Sequence, residues 1–153
     1  MNTLDAGVYS LLAADTASGG VANIVGTDGD GVKQIYQGKA SQKASPPYVI
    51  FWQPNDFPQY AFGNTVQSDH VFYAVQGFAA DTPTASGPST AGSLADRLRV
   101  LFLNPTLTVT GKTVLSCRPL QTLNPSEDWD DTNGRWVYSR GWIVETWVAS
   151  STP

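Results

Sequence analysis

The sequence contains one histidine, His70, and one cysteine, Cys117, the side chains with the most obvious catalytic potential. A Ser-His-Asp site needs a carboxylate that orients the histidine, and the nearest one in the sequence is Asp69. Adjacent residues of a strand point to opposite faces of a sheet, so Asp69 is not expected to orient His70. The sequence also lacks the G-x-S-x-G motif of many serine hydrolases. We therefore expect no catalytic residues, a surface or interface position for His70, and a packing role for Cys117.

A glycine-rich segment offers residue types that bind phosphate. A phosphate-binding loop has four residues between its first glycine and the Gly-Lys pair, and then a hydroxyl. Here six residues separate Gly31 from Gly38 and Lys39, and Ala40 replaces the hydroxyl. The pattern does not predict a nucleotide site, and we expect no cofactor.

Two acidic segments resemble parts of cation sites. The sequence TDGDG at 27–31 begins like a calcium-binding loop, but Val32 holds the third ligand position and no glutamate closes the ring. Asp128, Asp130 and Asp131 form a closer carboxylate cluster, and the Asn-Gly pair after them is typical of a turn. We expect no metal site, although weak cation binding and a plain turn both remain open for this cluster.

The overall charge narrows the class of partner. The 153 residues have a net charge of −4, and charged residues make up only 14% of them. An acidic chain is not expected to bind nucleic acid, which needs clustered basic residues. No apolar run is long enough to cross a bilayer, and Asp5 stands where a signal peptide has basic residues. The low charge and the 17 aromatic residues fit either a surface that is covered by partner proteins or an ordinary domain of low charge. A single cysteine is compatible with assembly in the cytoplasm.

The pattern of elements predicts an α+β domain over residues 1–153, with a mainly antiparallel sheet and two main helices on one face. Thr3 is expected to cap the first helix, and a stripe of apolar residues from Ala91 to Phe102 predicts the second, ended by Asn104 and Pro105. Strands are predicted at Tyr48 to Trp52, where both faces are expected to be buried, at 69–78, and at 136–148. The segment around 107–120 predicts either one strand or a hairpin that turns at Gly111 and Lys112. The strand at 136–148 is expected to be a central strand, or two strands hinged near Gly141, with both faces covered.

The segment at about 26–46 has no sustained periodicity and predicts a long exposed loop. Lys33, Lys39 and Lys43 lie in it with no acidic residue among them. These lysines are the candidate contact with a partner, and solubility alone is the alternative.

The order of these elements resembles the tail terminator (tail completion) proteins of long-tailed bacteriophages. The resemblance runs from about Leu4 to Val148. It consists of an amphipathic helix, the segment IYQGKASQKASPPYVIFWQ, the strand HVFYAVQGFA, the helix AGSLADRLRVLFLN, the segment TGKTVLSCRPL and a final RWVYSRGWIVETWV.

The resemblance implies a non-enzymatic virion protein assembled in the host cytoplasm. Such a protein forms a ring, typically a homohexamer, on the head-proximal end of the tail tube. There it stops tube polymerisation and offers a surface to head completion or connector proteins. An unpaired edge strand would extend the sheet into the next subunit.

Three alternatives remain at this level. The first is another head-tail connector or minor tail protein. The second is a glycan-binding or receptor-binding module that uses Trp129 and Trp136. The third is a small hydrolase with His70 in a pocket.

Overall fold

One sheet of six strands, with helices on one side, organises the part of the chain that the computed structural model describes, residues 2–60, 66–103 and 107–150. The elements in chain order are α1 (Thr3–Ala14), α2 (Val21–Val25), β1 (Ile35–Gln37), β2 (Tyr48–Tyr60), β3 (Val66–Ala80), α3 (Gly87–Leu103), β4 (Lys112–Thr122), β5 (Ser126–Asp130) and β6 (Arg135–Ser150). This confirms the predicted α+β class. No helix within these ranges has the length and apolar character to span a membrane.

Strand β6 lies at the centre of the sheet. The strand order is β1-β2-β3-β6-β4, and β5 also pairs with β6. Only β1 and β2 are parallel, and the other pairs are antiparallel. β4 pairs with the C-terminal part of β6 and β5 with its N-terminal part, so both lie on the same side of β6. The prediction of a central final strand is confirmed.

Gly141 lies inside this continuous strand and is not a hinge between two strands. A Cβ atom at this position would lie 2.1 Å from the Val75 carbonyl oxygen. The absence of a side chain lets β3 and β6 approach closely there.

The helices cover one face of the sheet. The predicted stripe of α3 is buried at Ala91, Leu94, Leu98 and Phe102, and Leu94 lies where a Cβ at Gly77 would touch it. Alternate residues of the central strands complete this core: Val49, Phe51, Val71, Tyr73, Val75, Val144 and Val148. The predicted end of α3 at 104–105 lies outside the described residues.

Helix α1 is fixed to the sheet through a buried carboxylate. Asp5 is 4% exposed, and its side chain accepts hydrogen bonds from Tyr73 Oη at 2.7 Å and from Gln53 Nε2 at 2.7 Å. The helix cap is Asn2, whose Oδ1 accepts from the Asp5 backbone N–H at 2.8 Å. The predicted cap, Thr3, is instead the first helical residue.

A second buried carboxylate joins the three helices. Asp15 follows α1, accepts from the Val21 backbone N–H at 2.7 Å, and pairs with Arg97 of α3 at 2.5 Å. The hydrogen bond from Arg97 holds the pKa of Asp15 below its usual value, although burial opposes the shift.

The opposite face of the sheet has no helix over it among the described elements. On β2 the odd-numbered Val49 and Phe51 are buried, whereas Tyr48, Ile50 and Trp52 are half-buried. The expectation that both faces of the aromatic strands are covered was therefore wrong, since alternation places only one set under the helices.

Two segments expected to be irregular contain short strands. Within the segment at 26–46, expected as a long exposed loop, β1 pairs with β2, and Gln34 and Ile35 are buried. β5 lies in the segment 124–135, which was expected to be a turn. Both strands form because they pair with a longer neighbouring strand. The local sequence of a short strand does not encode that pairing.

Candidate interaction surfaces

The three candidate lysines occupy different environments along the 26–46 segment. Lys39 is exposed. Lys43 Nζ lies 2.7 Å from Asp30 Oδ2, with both side chains more than half exposed. Lys33 is half-buried, and its Nζ donates to the Ala22 carbonyl oxygen at 3.3 Å. Asp30 therefore offsets part of the positive charge of Lys43, and Lys39 is an exposed cation.

The acidic segment forms a closed turn between β5 and β6. Asp130 accepts hydrogen bonds from Asn133 Nδ2 at 2.7 Å and from the backbone N–H of Thr132 at 3.1 Å. The hydrogen bond from Asn133 is the main reason that the pKa of Asp130 is lowered. Asp128 lies in β5, and Asp131 is exposed in the turn. Within the described residues no three His, Cys, Asp or Glu side chains converge on a point that could hold a metal ion.

His70 is paired with a carboxylate that the sequence analysis did not identify. Its Nε2 lies 2.8 Å from Glu145 Oε1 on the adjacent strand β6, and Asp69 pairs instead with Lys112. Glu145 is 9% exposed and also accepts from Arg118 Nε at 2.7 Å. These hydrogen bonds hold the pKa of Glu145 below its usual value, against the opposing effect of burial.

The glutamate is thus part of a cross-strand cluster on the sheet face without helices. The His70 ring also stacks on Trp147, with ring centroids 3.9 Å apart. Glu145 is noticeable in the sequence as a single carboxylate inside the apolar run WIVETWV. Its partners could not be predicted, because they depend on the register between strands.

Cys117 is buried against the helices. It is 8% exposed, its Sγ lies 3.4 Å from Thr146 Oγ1, and burial raises the pKa of the thiol. A buried thiol of raised pKa is a poor nucleophile at neutral pH. This environment is that of a packing residue.

Trp129 and Trp136 form an exposed pair across the β5–β6 hairpin. They are direct neighbours in the register, 49% and 44% exposed, with ring centroids 5.4 Å apart at 67°. Trp136 lies on the same sheet face as Tyr138, whose ring lies close to Gly87 at the start of α3. The two rings meet edge to face, so they do not form one flat platform on which a sugar would stack.

Strand β4 lies on the same side of β6 as β5, and the two strands form one edge of the sheet. β4 carries two exposed leucines. Leu115 is 60% exposed and Leu120 is 49% exposed. The register with β6 shifts between Val114 and Ser116 and again between Pro119 and Gln121. Each exposed leucine lies at one of these bulges, a feature that alternation alone did not predict.

A comparison of the fold with solved structures finds a similar protein. A chain of the virion of a native gene transfer agent (GTA) particle has the same fold, with a TM-score of 0.55 and 16% sequence identity. The match covers 96% of this chain and 95% of that chain. No protein-family model and no curated protein sequence matches this chain.

Proposed function

We propose that this chain is a structural protein of a phage-like virion, and specifically a tail terminator. Copies of it form a ring, typically of six, on the head-proximal end of the tail tube. The ring stops tube polymerisation and offers its other face to a head completion or connector protein. The chain acts without catalysis and without a cofactor.

The observation that carries this proposal is the fold shared with a GTA virion chain over nearly the full length of both chains. A match of this extent covers the whole domain and not one supersecondary motif. The order of elements along the sequence points to the same class of protein.

The state of the reactive side chains supports a structural role. Cys117 is buried with a raised pKa, and Asp130 is engaged in closing a turn. Glu145 and His70 pair with each other across two strands. In each case the contacts of the side chain are those of a residue that stabilises the fold.

The proposed mechanism is occlusion. One face of the ring matches the surface that a tube subunit offers to the next one, and the opposite face lacks it, so no further subunit adds. The loop with Lys33, Lys39 and Lys43 is the proposed contact with the tube or head partner.

The direct test is polymerisation of the purified tail tube protein with and without this chain. We expect shorter tubes with density at one end in negative-stain images, and a ring mass of about 98 kDa for six copies of the 16.4 kDa chain. The control is Leu98→Asp, which places an unpaired carboxylate at a fully buried position and should unfold the domain. Binding to a head connector without any effect on tubes would favour the alternative connector role.

A further inference from the structure

One free edge of the sheet concentrates exposed apolar side chains. Seven large apolar side chains are exposed in the described part of the chain, and four of them lie on β4 or on the β5–β6 hairpin. They are Leu115, Leu120, Trp129 and Trp136. Exposed apolar side chains grouped in this way favour a contact with another macromolecule.

The two ends of this edge differ in charge. Residues 126–135 contain four carboxylates and one arginine, a formal charge of −3, while the whole chain carries −4. In contrast, β4 contains two cations, Lys112 and Arg118, and no carboxylate; these cations pair with Asp69 of β3 and Glu145 of β6. We name Ser126–Ser139, which includes β5 and the start of β6, the tryptophan hairpin, and β4 the leucine strand.

The leucine strand presents a cation between its exposed leucines. The Arg118 side chain is 63% exposed, while its Nε is bound to Glu145 and holds the guanidinium in place. An arginine next to leucines fits an indole pair, because guanidinium groups bind aromatic faces and leucines cover the rest of the rings.

The contact is expected to use side chains and not continued strand pairing. Pro119 has no N–H to donate, and the two bulges interrupt the regular edge of β4. This replaces the sequence-based expectation that an edge strand extends the sheet into the next subunit.

We propose that this edge is an interface between copies of the chain, in which the tryptophan hairpin of one copy docks on the leucine strand of a second copy. The inference deepens the proposed ring by naming its subunit contact. The two surfaces are different and have opposite formal charges, so the contact can be head-to-tail and close into a ring. They lie at opposite ends of the edge, about 30 Å apart along β6.

The first test removes the indoles. We expect Trp129→Ser/Trp136→Ser to weaken self-association at least tenfold in sedimentation velocity at low salt, with an unchanged far-UV circular dichroism spectrum. The matched control is Val32→Ser, which removes a 52% exposed apolar side chain from a different surface and should leave the association unchanged.

The second test changes the charge of each surface. Glu127→Lys/Asp128→Lys brings the formal charge of residues 126–135 from −3 to +1, and Ser116→Glu/Gln121→Glu brings that of the leucine strand from +2 to 0. The first variant leaves both surfaces positive and the second leaves the leucine strand neutral, so each should weaken self-association. Salt at about 0.5 M should weaken the wild-type contact through screening.

The outcomes separate this interface from the proposed function. A wild-type ring that survives both the indole and the charge variants would overturn the interface and leave the ring intact. A wild-type chain that stays monomeric at all concentrations would also overturn docking between free copies. Tube length in the polymerisation assay then reports separately on the terminator role.

Discussion

At the scale of single residues, the Asp15–Arg97 pair makes the stability of the fold depend on pH. The pKa of Asp15 is lowered in the folded state by the hydrogen bond from Arg97, and the pKa of Glu145 is lowered by Arg118 and His70. The unfolded chain therefore takes up protons at higher pH than the folded chain does. This stability is present above the unfolded pKa values, about 4, and is lost as the pH falls through the folded ones.

We expect the free energy of unfolding to be constant near neutral pH and to fall as the pH drops below about 5. Urea denaturation at a series of pH values measures it. Arg97→Gln should lower stability at pH 7 and flatten this dependence, because it removes the partner of Asp15. Arg99→Gln, two residues away on α3, is the matched control for the acid dependence, because it removes the same charge from a guanidinium that lies over the Trp142 ring, 5.8 Å from its centroid. Equal acid dependence of wild type and Arg97→Gln would contradict the assignment.

The buried carboxylates show what residue types alone do not predict. In the sequence, Asp5 indicates only that the N-terminus differs from a signal peptide. In the structure its side chain is buried between α1 and the sheet. Its donors Gln53 and Tyr73 lie 48 and 68 residues away in the chain. Because such a network depends on which elements pack together, no local pattern indicates it.

At the scale of elements, the close approach of β3 and β6 depends on Gly141. A methyl group there would meet the Val75 carbonyl oxygen and the Gln76 Cα, both of them backbone atoms that cannot rotate away. We expect Gly141→Ala to lower the free energy of unfolding by about 1–3 kcal/mol or more, the usual range for overpacking. Thermal and urea denaturation measure the loss.

The control for this change is Gly29→Ala. A Cβ at Gly29 meets nothing within 4 Å, so the same substitution should be close to neutral. Equal stability of Gly141→Ala and wild type would show that the two strands can separate locally at no cost.

The elements also show where periodicity is informative. Helix α3 was predicted from its apolar stripe because its own sequence encodes one buried face. β1 and β5 have three and five residues, too few for a pattern, and the neighbouring strand determines them. The exposed leucines of β4 follow from bulges, whose positions depend on pairing with β6.

At the scale of the whole molecule, the lysine loop and the leucine–tryptophan edge are two different surfaces that adjoin at one point. Arg135 Nη2 donates to Ser45 Oγ at 3.3 Å and so links the turn after β5 to the end of the 26–46 segment. A ring subunit needs contacts with its neighbours and contacts with the tube or head. The proposed division assigns the edge to neighbouring copies and the loop to the axial partner.

This division predicts different effects of charge reversal at the two surfaces. Lys39→Glu/Lys43→Glu should leave the melting temperature and the ring mass unchanged, because Lys39 is exposed and the Lys43–Asp30 pair is a surface ion pair of small net energy. The same variant should lose the ability to limit tube length. Lys33 is retained in it because its bond to Ala22 helps to hold the loop.

The matched control changes three exposed residues of α3 away from the loop, Ser89→Glu/Ser93→Glu/Arg99→Glu. It changes the net charge by the same amount, so a general effect of charge would appear in both variants. Tube lengths measured in negative-stain images distinguish them. Normal capping by the lysine variant would remove the loop from the axial contact, whereas loss of the ring by the same variant would place these lysines between subunits.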